Sequence, residues 1–110
     1  MAFKSAFIVM APDGDPNKHR ASIKTSKLEF TTVLIEMMNF DQAVEVAKDL
    51  VQKHGVQSIY LCAGFTHQAV ARIVSAVSGK AAVQASRGDV PSTNMVGEIL
   101  TKEGWLPGGH

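Results

Sequence analysis

Residues 5–11, SAFIVMA, form an almost unbroken apolar run that stops at Pro12. A run apolar at nearly every position fits a strand buried on both faces, as in a parallel sheet. Residues 30–38 (FTTVLIEMM) and 57–63 (QSIYLCA) are β-branched and apolar in the same way and predict two more strands. Residues 81–85 (AAVQA) predict a short fourth strand, interrupted by Gln84 and suited to an edge. Between these runs the period changes. In residues 41–54, Ala43, Val46, Ala47, Leu50 and Val51 share one helical face, away from Glu45, Lys48, Asp49 and Gln52. Asn39 or Asp41 can cap this helix and Gly55 can end it in a left-handed turn. A second helix over 67–78 follows Thr66 as cap and stops at Gly79. Its stripe of Val70, Ile73, Val74 and Val77 is widened by alanines, and Arg72 is its only charge. A helix so poor in charge is expected to be covered on more than one side. A third helix, about 92–103, is expected to bury Met95, Val96, Ile99 and Leu100.

Residues 13–29 show no clean period. They open on the turn-rich Asp13-Gly14-Asp15-Pro16-Asn17 and then carry Lys18, His19, Arg20, Lys24 and Lys27 before Glu29. They predict an irregular connection in place of the usual first crossover helix, either a basic lid over an anion or a solvated loop. The order of elements predicts one α/β domain over residues 1–110. Its architecture is a small three-layer sandwich with a four-stranded, mostly parallel sheet of order 2-1-3-4, a shortened flavodoxin- or Rossmann-like arrangement with three helices. A competing topology pairs the first two strands as an antiparallel hairpin. Right-handed crossovers place the first two helices on one face, leaving only the third helix and the irregular segment for the other. A parallel sheet needs both faces buried, so a homo-oligomer is expected, using this face or the apolar second helix. Trp105 and Leu106 either anchor that contact or fold back on their own sheet.

Composition narrows the functional classes. The chain has 110 residues, 45% hydrophobic and 19% charged, which excludes a disordered chain. No apolar run approaches the ~18 residues of a membrane span. The net charge of +1 argues against a nucleic-acid partner. Cys62 is the only cysteine, which excludes a disulfide scaffold; with no secretory pattern near the start, a cytoplasmic location is expected. The whole chain, especially AFIVMAPDGDP and YLCAGFTHQAVARI, resembles a family of short prokaryotic α/β proteins of unknown function. That resemblance implies no catalytic residues.

Candidate chemistry follows from the architecture. Open parallel sheets bind ligands beyond the carboxyl ends of the strands, where strand order reverses. Asp13 and Gly14, Glu36 and Asn39, Cys62 through His67, and Ser86 through Asp89 all fall on that edge. Gly64-Phe65-Thr66 opens the second helix, whose free N–H groups and dipole favour an anion; an ordinary capped turn is the plainer reading. Arg87 can clamp a carboxylate or phosphate, or pair with Asp89 or Glu36. Glu36 needs a basic partner or a solvent-filled cleft. One glycine is far from a dinucleotide or phosphate-loop fingerprint, so no cofactor can be named. His19, His54, His67 and His110 have no metal-ligand spacing. The expected ligand site is therefore Asp13, Glu36, Gly64, Phe65, Thr66 and Arg87, binding a small anionic molecule. One alternative is an enzyme with Cys62 as nucleophile and His67 as base. Another is a non-enzymatic interaction or structural module that works through the second helix and the Trp105 tail.

Overall fold

The computed structural model describes residues 1–106; His110, one of the four histidines without metal-ligand spacing, lies outside them. The elements in chain order are β1 (Phe3–Ala11), β2 (Arg20–Lys24), β3 (Leu28–Glu36), α1 (Phe40–His54), β4 (Ser58–Leu61), α2 (His67–Val77), β5 (Ala82–Ala85) and α3 (Ser92–Lys102). The four expected strands form, and they are parallel neighbours in the expected sequence β3-β1-β4-β5. β1 and β3 run parallel from Phe3↔Leu28 to Ala11↔Glu36, which overturns the antiparallel hairpin between them.

The sheet has five strands rather than four, because β2 lies antiparallel on the outer edge of β3. The hairpin is closed by Thr25, whose N–H donates to the Leu28 carbonyl at 2.7 Å. Its hydroxyl oxygen accepts from the N–H groups of Lys27 and Leu28. All five β2 residues are exposed, so no buried face imposes an alternation that a sequence reading can detect. Arg20 and Lys24 instead guard an edge that would otherwise pair with another chain. They reach Asp49 at 3.5 Å and Glu29 at 3.6 Å.

One face of the sheet carries the core. Ala6, Ile8, Val33, Ile35, Ile59 and Leu61 are fully buried against Ala43, Ala47 and Leu50 of α1 and Ala69, Ile73 and Val77 of α2. Both helices sit on this face and pack against each other, as right-handed crossovers require. Asn39 caps α1 through Gln42 N–H, and Gly55 ends it at φ 69°. α2 stops at Val77, and Ser78 rather than Gly79 takes the left-handed cap position, at φ 50°. The covering of α2 is one-sided, since Val74 stays 48% exposed.

The third layer does not form. α3 has no buried residue, and Met95, Val96 and Ile99 are exposed instead of packing on the sheet. Strand parity therefore leaves a second face without a helix among the described residues. Register places Phe7, Val9, Phe30, Leu34 and Tyr60 on it, with Ile23 of β2 at its rim. No helix among the described residues is long and apolar enough to cross a membrane.

Two positions test this packing. After β1 the chain folds back over the end of β3, and a Cβ on Gly14 would lie 2.2 Å from the Ile35 carbonyl oxygen. Backbone cannot yield as a side chain does, so Gly14→Ala is expected to cost about 2 kcal/mol or more in urea unfolding. The Ser5 hydroxyl is buried with no hydrogen-bond partner among the described residues. Removing an unsatisfied polar group relieves its desolvation penalty, so Ser5→Ala is expected to gain about 1 kcal/mol in the same measurement.

Candidate functional site

The turn from β4 into α2 is short because its middle is anchored. Phe65 N–H donates to the Cys62 carbonyl, and the Phe65 ring is 1% exposed. That ring packs on Phe40 with centroids 5.5 Å apart. Gly64 lies close enough to Met10 that an added Cβ would meet the Met10 methyl at 2.4 Å, which draws the turn down onto the end of β1. Thr66 then takes an extended conformation, and its Oγ1 accepts from Ala69 N–H at 3.1 Å. This uses the hydroxyl as an acceptor and leaves its hydrogen free to donate. The next two amides, His67 and Gln68, find no acceptor among the described residues, as is usual in the first turn of a helix.

Arg87 reaches the same place from β5. Ser86 N–H donates to the Leu61 carbonyl at 2.8 Å, keeping the chain alongside β4 past the end of the strand. Arg87 Nη1 then donates to the Phe65 carbonyl at 3.1 Å. One arm of the guanidinium is thereby tied to the turn, while its other N–H groups remain for a ligand. An open cleft of about 600 Å³ results, lined by residues 63–68 and Arg87. Among the described residues its lining contains no acidic side chain. A larger hollow of about 770 Å³ follows the polar side of α3, but it draws on that helix and Leu106 alone, with Glu98 and Lys102 of opposite charge.

The residues expected to form one site are thus divided. Gly64, Phe65, Thr66, His67 and Arg87 meet at the cleft, Phe65 through its backbone only. Asp13 and Glu36 lie on the other side of β1 and do not line it. Glu36 belongs to the start of α1: its Oε1 accepts from Asn39 Nδ2 at 3.1 Å, and its N–H donates to Gln42 Oε1 at 2.7 Å. Its partner is an amide rather than a base. Arg87 pairs with neither Glu36 nor Asp89. Cys62 is half-buried against the core and does not line the cleft, whereas His67 is exposed there; no hydrogen bond joins the two. The basic residues of β2 stand at the opposite edge of the sheet, so they form no lid over this cleft.

Sequence reasoning missed the Phe65 carbonyl as the anchor of Arg87. Backbone oxygens leave no trace in residue identity, and the two residues are 22 positions apart. Gln68 was also passed over, since an amide in a first helical turn carries no distinctive pattern.

No curated protein and no solved structure matches the chain. A family match does exist, over residues 3–100. It runs from the start of β1 into α3 and so includes the whole sheet, both packed helices and the cleft. The chain belongs to DUF6506, a family of unknown function.

Proposed function

We propose that the chain binds a small anionic molecule, a carboxylate or a phosphate ester, in the cleft at the start of α2. The observation that carries this reading is the tethered guanidinium of Arg87 beside two amides without acceptors, in a cleft whose lining holds no carboxylate. Each element has a role. The helix N-terminus carries a partial positive charge and presents the His67 and Gln68 N–H groups to an oxyanion. Thr66 donates its hydroxyl hydrogen. Arg87 supplies the counter-charge in a planar, two-point contact. Holding one arm on the Phe65 carbonyl reduces the rotamer freedom that Arg87 loses when a ligand arrives. His67, exposed at the rim, orients the rest of the molecule.

Thermal-shift measurements with panels of phosphorylated and carboxylated metabolites test the proposal. A ligand at a hundred times its dissociation constant stabilises a fold by about 2.7 kcal/mol, enough for a clear rise in Tm. The expected outcome is such a rise for at least one anionic class and its loss in Arg87→Ala. A Tm unmoved by both panels, or a rise that Arg87→Ala retains in full, overturns the assignment.

A further inference from the structure

Two surfaces lack a partner among the described residues, and they match. The first is the sheet face opposite α1 and α2. Its central rows hold Phe7, Val9, Phe30, Leu34 and Tyr60, and the register puts no charged residue between Phe3 and Val9 on β1 or between Leu28 and Leu34 on β3 on this side. The second is the apolar stripe of α3. Met95, Val96 and Ile99 are 63%, 52% and 50% exposed, and no α3 residue is buried. A parallel sheet needs cover on both faces, and an amphipathic helix needs something to cover.

α3 is held away from its own sheet. The Arg87 tether and the Ser86 bond fix the chain as it leaves β5. The turn that follows is tight: Thr93 N–H donates to the Asp89 carbonyl at 2.7 Å, and a Cβ on Gly88 would lie 2.2 Å from Thr93 Oγ1. The helix consequently projects, giving extents of 48 × 29 × 28 Å. The Cα radius of gyration is 14.5 Å, against about 13 Å for a compact domain of this length.

We infer that α3 packs on the open sheet face of a second copy of this chain, which returns its own α3 in a two-fold exchange. The dimensions agree. At 1.5 Å per residue α3 is about 16 Å long, and five strands at ~4.8 Å spacing span about 19 Å, so one helix crosses most of one sheet. Two exchanged contacts, each covering roughly 350 Å² of sheet and a like area of helix, bury about 1,400 Å² in all, within the range of stable dimers. The contact is isologous, as two-fold symmetry demands. The inference stands independently of the ligand proposed for the cleft.

Light scattering coupled to size exclusion, run over a wide concentration range, tests it alongside Ile99→Asp and Ile23→Asp. Both residues are largely exposed within one chain, so both variants should keep the parent's circular dichroism. The parent is expected to run at twice the chain mass. Ile99→Asp should weaken association by at least about thirtyfold, the effect of losing a central anchor, and Ile23→Asp should weaken it measurably. Three results overturn the inference. A monomeric parent means α3 closes on its own sheet or the face serves a different protein. A dimer that survives Ile99→Asp but not Ile23→Asp means two sheets pack directly. A dimer indifferent to both means association lies elsewhere.

Discussion

The parallel pairing of β1 with β3 on one side and β4 on the other is the interaction on which the rest of the structure depends. It aligns the carboxyl ends of four strands along one edge, and every turn that carries unusual polar residues is gathered there. It also sets the parity of each strand. Ala6 and Ile8 face the helices while Phe7 and Val9 face away, so the same registers that build the core leave a second apolar surface behind it. An antiparallel sheet can leave a face to solvent by alternating polar residues along it, and β3 offers only Thr32 and the terminal Glu36 in that role here. The aromatic content of the open face is a consequence: three of the five phenylalanines and the sole tyrosine lie on it.

The cleft depends on the same pairing one step removed. β4 ends directly beneath the start of α2, and β5, bound to β4, delivers Arg87 to the Phe65 carbonyl. The buried Phe65 ring keeps that carbonyl in place through its tilted contact with the Phe40 ring. A surface arginine therefore acquires a defined position from a core aromatic. Burial at Phe65 and exposure at Thr66 and His67, on adjacent residues, are what turn a helix cap into a shaped surface. On the other side of β1 the chain spends its polar groups locally. Glu36, Asn39 and Gln42 satisfy one another at the start of α1, which is why a carboxylate at a strand end does not enter the cleft.

Much of this was legible in the chain. The apolar runs at 5–11, 30–38, 57–63 and 81–85 became β1, β3, β4 and β5 in the expected spatial order, because strands buried on at least one face must be apolar at alternate positions. Asn39, Gly55 and Thr66 cap the helices as their side-chain and backbone chemistry requires. β2 was not legible, since a fully exposed edge strand has no burial to pattern it. Nor was the fate of α3. An amphipathic stripe states that a helix needs an apolar partner, but Met95, Val96 and Ile99 do not say on which molecule that partner lies.

The sequence by itself thus determined the class of fold, the strands of the core, the helix caps and the edge where chemistry collects. These are local matters, decided by period, propensity and capping over a few residues at a time. Tertiary structure alone decided which of the gathered residues meet. Arg87 joins Thr66 and His67 through a backbone carbonyl, Asp13 and Glu36 are parted from them by β1, and Cys62 stays half-buried against the core, outside the cleft lining. It also decided that α3 leaves the sheet, because the turn at residues 88–93 sets its direction and a turn's direction appears in no hydrophobic pattern.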